Sequence, residues 1–406
     1  MKMIQERYKG FAIVLAYAIV PLSGIAVDLY SPSLPAMASD LHVSVLKMQA
    51  SVSIYLIFYG ISQLFVGVLL DSFGRFRLSL ISLLIFSLSS FAIAVLPNIH
   101  LIYIFRAIQG ISIGFVLVAK RAFFVDVFEG SKLKHALSLL TIIWSIGPIT
   151  APFIGGYLQT SFGWKYNFYF LGAASMIGFI LDWIYSGETL REPAKFHFQQ
   201  ILGNYSKMLG TFDFILSIAL SGMAYGVAMI FTLTSPFLIV HTFHYNSVTV
   251  GYSLLIIGLG WLSGNLLGKA LIKTDFTKTV FIANIVQFLM VALMMVFFRF
   301  APNLYTLIGF TFFIVMMSAF IFNNSFTYSL SRFPNAAGVA GGLVGGVTYI
   351  LLSGITYLLL LFIPVKELMS LAWYDIILIS GISVVFLSFL RYKRKQLTLK
   401  SASCSA

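Results

Sequence analysis

Charge is scarce in this chain. Only 10% of its 406 residues are Asp, Glu, Lys or Arg, where a soluble domain carries roughly 25%. A water-exposed surface for a soluble fold of this length is therefore excluded. Cysteine is scarcer still: Cys404 stands alone in the tail, which rules out an internal disulfide and a cysteine-rich metal centre. Catalytic signatures are missing as well. There is no HExxH and no GxSxG, and "GNLLGK" (Gly264 to Lys269) runs into Ala270 with the wrong spacing for a phosphate-binding loop. His241 and His244 in "HTFH" share a helical spacing but read as an outer loop, not as metal ligands. Neither an enzyme, an ATPase module, a bound metal nor a cofactor is expected.

What the chain has is apolar length. Hydrophobic residues make up 59% of it, in stretches of about 20 residues or more, which suits membrane-spanning helices and not barrel strands. Twelve segments emerge near 11–36, 47–70, 77–96, 99–119, 135–159, 164–186, 212–238, 248–271, 278–298, 302–326, 336–363 and 367–390. The longest polar interval, from Ser186 to about Gly210, predicts a cytoplasmic linker at 187–210 between an N-terminal half at 1–186 and a C-terminal half at 211–391, with a tail at 392–406. The fold class expected is an all-α integral membrane protein of twelve helices in two six-helix halves. The "SLPAMA" stretch mimics a leader cleavage site, but the run before it is too long, and Asp28, Pro32 and Pro35 fall just ahead of the site. The first segment is therefore expected to be retained.

A net charge of +13 suggests nucleic acid until the positions are counted. With the N-terminus inside, all 26 Lys and Arg fall in loops of the inner side except Lys47, Lys165, Arg299 and Lys366 outside and Arg106 within a span. This is the positive-inside distribution, and it puts both termini in the cytoplasm. The expected partners are a lipid bilayer and a small molecule, not a nucleic acid, and the chain is expected to be a monomer.

Three stretches carry a resemblance. "GVLLDSFGRFRLSL" follows the second segment. Its Gly67, Leu69, Asp71, Gly74 and Arg75 match the loop G-x-L-x-D-R-x-G-R-[RK] of the major facilitator superfamily, with departures at Ser72 and Phe76. "FRAIQGISIGF" resembles the R-x-x-Q-G-x-x-x-G pattern of that superfamily's drug:proton antiporters through Arg106, Gln109, Gly110 and Gly114. "SIGPITAPFIGGYL" resembles their G-P-x-x-G-G motif through Gly147, Pro148, Pro152, Gly155 and Gly156, a kinked and close-packed fifth helix. Together with "VDLYSPSLPAM", "RAFFVDVF", "FGWKYNFYFL", "ETL", "SPFLIV" and "NAAGVAGGLVGG", the chain resembles the bicyclomycin and chloramphenicol resistance branch, from about Ala26 to Gly346. The resemblance implies a proton-coupled exporter of small amphipathic compounds in a bacterial inner membrane. A dedicated exporter of one metabolite, such as a siderophore or an amino acid, is the alternative. It also implies a conformational latch of Gly67, Asp71, Gly74, Arg75 and Asp126, in which Asp71 meets a helix N-terminus of the other half and Arg75 pairs with Asp126.

Asp28 is the only charged residue between Gly10 and Ser39. A carboxylate within the bilayer is costly and is retained for a use. Asp28 lies nine residues below Met37 and Arg106 eight below Asn98, so both sit about 12–14 Å beneath the outer surface. Proton coupling is expected at Asp28, modulated by Arg106. The cavity wall is expected to include Tyr30, Tyr55, Tyr59, Gln109, Trp144, Tyr225, Phe231, Phe237, Asn323 and Asn324, since aromatics with few polar groups suit bulky amphipathic ligands. Of the other acids within spans, Asp182 is expected to reach water at the inner end of the sixth segment, and Asp375 has no assigned role.

Overall fold

The computed structural model describes residues 3–190, 198–271, 274–333, 336–365 and 367–404. Of the positions that set the expected topology and motifs, Met1, Lys2, Arg191, Glu192, Lys195, Lys273, Asn335, Lys366 and Ala406 fall outside this description. Among the described residues the chain is helical throughout, apart from one isolated bridge between Met3 and Glu188. Twelve helices are long and apolar enough to cross a membrane: Glu6–Asp40, Val45–Phe73, Arg75–Val95, Ile99–Val127, Gly130–Phe162, Lys165–Tyr185, Phe212–Thr242, Ser247–Ala270, Phe276–Phe300, Leu304–Ser331, Gly338–Phe362 and Leu368–Lys395. They are numbered here as the first to twelfth spans. The helix Phe198–Leu209 lies in the segment between the sixth and seventh.

Several helices outrun their apolar windows. The fourth span continues to Val127 and so takes Lys120, Arg121 and Asp126 into the helix, where a loop is expected. Hydropathy registers only the length that sits in hydrocarbon. Backbone hydrogen bonding continues past it wherever long polar side chains reach water or one another. Starts are fixed by side-chain caps. Asn98 accepts from the backbone N–H of His100 at the head of the fourth span. Asn303 and Thr306 form a reciprocal capping box at the tenth. At the ninth, Asp275 accepts from the Thr277 hydroxyl and from the backbone N–H groups of Thr277 and Lys278, and these bonds hold its carboxyl below the usual carboxylate range.

The first span is not one rod. It runs as Lys9–Ile19, then Leu22–Asp28, a 3₁₀ turn at Ser31–Ser33, and Leu34–Asp40. Pro21, Pro32 and Pro35 explain the breaks, because proline removes a donor and cannot continue the ladder. Asp28 is the last residue of the second piece.

The chain divides into two compact units. One comprises Met1–His197 with Thr232–Gly258, the other Phe198–Phe231 with Leu259–Ala406. Within the first unit, the fourth span lies against the second at Gly110, where a Cβ would strike the Tyr55 carbonyl oxygen. The fifth lies against the first at Gly147, Pro148 and Gly155, which face Pro21, Gly24 and Leu29. Its Gly156 abuts the Ser247 carbonyl, and Gly251 in turn abuts Pro152. Gln49 Nε2 donates to the Leu233 carbonyl at 2.8 Å. Within the second unit, polar side chains tie the ninth span to its neighbours: Gln287 Nε2 donates to Ser318 Oγ at 2.6 Å, and Ser383 Oγ donates to Asn284 Oδ1 at 2.6 Å. Asp213 accepts from Tyr328 at 2.8 Å and from Arg332 at 3.0 Å. Asp375 is buried, with Oδ2 unpartnered.

Candidate functional site

The first unit gathers most of the polar side chains singled out in the sequence. Arg106 is the largest of its fully buried side chains, at 0% exposure. Its Nη1 donates to the Ala26 carbonyl at 3.1 Å and to Gln109 Oε1 at 2.9 Å. Gln109 Nε2 continues to Ser90 Oγ at 2.8 Å. The guanidinium lies 4.6 Å from the ring centre of Tyr30 and 4.1 Å from that of Tyr55, so both rings contact the cation. Tyr30 shares a hydrogen bond with Ser51, and Tyr55 donates to the Ser23 carbonyl. Trp144 Nε1 donates to Ser23 Oγ at 2.8 Å, and Tyr59 stacks on Tyr55 at 6.3 Å. Tyr30, Tyr55, Tyr59, Gln109 and Trp144 thus join around one arginine.

Asp28 is half-buried and makes no hydrogen bond or ion pair among the described residues. Equal depth does not bring it onto Arg106, and the helix gives the reason. Ala26 and Tyr30 are one turn apart, share a face and both touch the arginine. Position 28 lies between them and therefore points to the other side. It falls on the stripe of Gly24 and Ile25, which packs against Pro148 and Gly147 of the fifth span. Pro148 and Pro152 both lie inside that helix, Gly130–Phe162.

The other expected wall residues sit elsewhere. Phe237 is buried in the first unit, its ring beside His241. In the second unit Tyr225 packs with Trp261, Phe322 and Tyr349. Asn323 Nδ2 donates to Asn265 Oδ1, and Asn324 Nδ2 to the Phe320 carbonyl. Phe231 is fully enclosed and offers no surface to a ligand in this structure.

Between the second and third spans Gly74 turns the chain with φ 97°, a conformation that favours glycine. Gly67 has open space around it. Arg75 bridges Asp71 at 2.7 Å and Asp126 at 2.5 Å. Glu188, the first residue of "ETL", completes this cluster, and sequence reading missed it. Its carboxylate accepts the backbone N–H groups of Arg75 at 3.2 Å and Phe76 at 3.1 Å, capping the third span, and Thr189 Oγ1 donates to Asp126. An acid just after the sixth span, in a tripeptide already noted, was the available signal.

Two further expectations are overturned. Asp182 does not reach water, and Lys120 is not a loop residue. They form an ion pair of 2.6 Å between the fourth and sixth spans, with Asp182 at 0% exposure. Each lies toward the C-terminal end of an apolar helix. With an opposite charge at the same depth on the neighbouring helix, pairing replaces hydration. Among the described residues, no three His, Cys, Asp or Glu side chains are grouped as a metal would need.

The Major Facilitator Superfamily profile matches residues 16–355. The chain is 27% identical over 348 residues to "Multidrug resistance protein D" of Escherichia coli, covering 82% of this chain and 84% of that one. It is 24% identical over 357 residues to a "Bicyclomycin resistance protein homolog" of Haemophilus influenzae, covering 85% and 88%. Among solved structures it is similar to a D-xylose-proton symporter, with a TM-score of 0.72 at 15% identity, over 92% of this chain and 97% of that one. Twelve spans, a break in the first of them at Asp28 and an Asp–Arg–Asp cluster beside the turn between the second and third accompany a profile match over most of the length: the chain belongs to the Major Facilitator Superfamily, a family of membrane transporters and not of enzymes.

Proposed function

We propose that this protein exports small amphipathic compounds in exchange for protons, by alternating access, with Asp28 as the proton carrier. One observation carries the reading: a carboxylate at a break in the first span, half-buried and without hydrogen bond or ion pair. An acid held for structure would be paired, because an unpaired charge in a low-dielectric setting is costly. An acid held to take up and release a proton must be free of a permanent partner. Arg106, on the fourth span, contacts Ala26 and Tyr30 of the turn that carries Asp28. The names of the relatives support export of drug-like compounds. The inner cluster of Asp71, Arg75, Asp126 and Glu188 is read as the latch that sets the balance between access states. The distribution of Lys and Arg supports cytoplasmic termini in a bacterial inner membrane.

The test is transport in everted vesicles under an imposed pH gradient, with a panel of amphipathic toxic compounds. The wild type should accumulate substrate only with the gradient present, and Asp28→Asn should not. Accumulation by Asp28→Asn with unchanged proton dependence would overturn the assignment of Asp28.

A further inference from the structure

Arg106 leaves part of itself unused. Its Nη1 is engaged twice, but Nε and Nη2 are buried and have no hydrogen-bond acceptor among the described residues. These two nitrogens lie on one edge of the guanidinium, where their N–H bonds run parallel. That edge is the one that meets the two oxygens of a carboxylate side by side. The rings of Tyr30 and Tyr55 contact the arginine as well. A buried, charged donor pair without acceptors is costly and is normally explained by a ligand, an ion or water.

Among the described residues, no carboxylate pairs with this edge. Asp28 faces the other side of its helical turn, and Gln109 is spent on Nη1 and Ser90. The surroundings are aromatic: Tyr55 carries Tyr59 on its face, and Trp144 shares Ser23 with Tyr55. The first span supplies both Ala26 and Tyr30, and it is interrupted after Ile19 and again after Asp28. That interruption lets the covering residues shift without unwinding a whole helix.

We infer that the open edge of Arg106 is a substrate subsite for a carboxylate borne on an aromatic body. This deepens the transport reading and rests on it, by naming the acid end of the compounds carried. In the compounds it fits best, a basic group would complement ionised Asp28 on the far side of the turn, while the carboxylate neutralises Arg106. Substrates of this class are aromatic acids and aromatic zwitterions.

The experiment is equilibrium binding to purified protein in lipid nanodiscs, with no pH gradient, so it does not depend on proton exchange. The probes are 2-naphthoate and its neutral counterpart 2-naphthylmethanol. The wild type should bind the naphthoate at least tenfold more tightly. Arg106→Lys keeps the charge and removes the fork, and should abolish that preference, bringing the two probes to within about twofold of each other. Equal binding of both probes by the wild type means the edge is only hydrated, and overturns the proposal even if no Arg106 variant folds. A preference that survives Arg106→Lys overturns it too. Loss of gradient-driven transport with the naphthoate preference intact would count against the proton-exchange reading alone.

Discussion

The fourth span carries two buried basic residues that are treated in opposite ways. Near its N-terminal end, the one expected to face outward, Arg106 is enclosed, stacked on tyrosines and bonded to a carbonyl and an amide, with no carboxylate upon it. Four turns further in, Lys120 is closed onto Asp182 at 2.6 Å. The acids differ in the same way. Asp182 is inaccessible and paired, whereas Asp28 is half-buried and unpaired. A charge pair that satisfies itself fixes two helices to each other and has little left for chemistry. Charges split across a helical turn do not neutralise each other, so Asp28 is left without a partner and Arg106 keeps donors that no acceptor meets. The Lys120–Asp182 pair is therefore read as architecture, and Asp28 with Arg106 is the proposed working site.

Mutation can break that comparison, and the largest effect should come from the outer site. Asp28→Asn is expected to reduce gradient-driven export to the level of empty vesicles, while thermal unfolding in detergent moves by no more than a degree or two. A large fall in melting temperature would place Asp28 with the architectural charges instead. At the inner site the expectation reverses. Lys120→Met strands a buried carboxylate and should cost about 3–5 kcal/mol, read as a loss of monodisperse protein on size-exclusion chromatography. The double variant Lys120→Met with Asp182→Leu should recover most of that loss and keep transport, since a buried pair replaced by apolar residues is often neutral or better. Transport abolished in a well-folded double variant would move Lys120 and Asp182 into the working site. A smaller effect is expected at the cap of the third span. Glu188→Gln keeps the shape but weakens four backbone hydrogen bonds, costing about 1 kcal/mol and slowing transport several-fold with binding of 2-naphthylmethanol intact. The smallest expected effect is at Gly67, which has open space around it: Gly67→Ala should leave both stability and transport within error.

The fold was legible because hydropathy is a strong signal when the apolar runs are this long. The isolated charges were legible for the same reason: Asp28 and Arg106 stand out against an uncharged background. Depth could be read by counting residues from the segment ends. Azimuth could not, and azimuth separates Asp28 from Arg106. Reading it required knowing that Leu22–Asp28 is a regular helical piece between two breaks, with positions 26 and 30 on one face and 28 on the other. The Lys120–Asp182 pair was hidden by a different assumption. A lysine at the inner end of an apolar run is expected to reach for water, and only the packing of the sixth span against the fourth reveals an acid at the same level. Glu188 was missed because a cap depends on where a distant helix begins. The contact joins residues 113 apart in sequence, and no local pattern encodes it.

The glycines at the span contacts also decide how such a gene can vary. Every single-base change that replaces a glycine codon introduces a Cβ or a stop. At Gly110 and Gly155 that atom would coincide with a backbone carbonyl of the adjoining span, which no change of rotamer can move aside. Trp144, Tyr225 and Asn323 are only partly covered. Change, one codon at a time, is therefore expected at such partly covered side chains before it is seen at the glycines that set the register of the first, second, fourth and fifth spans.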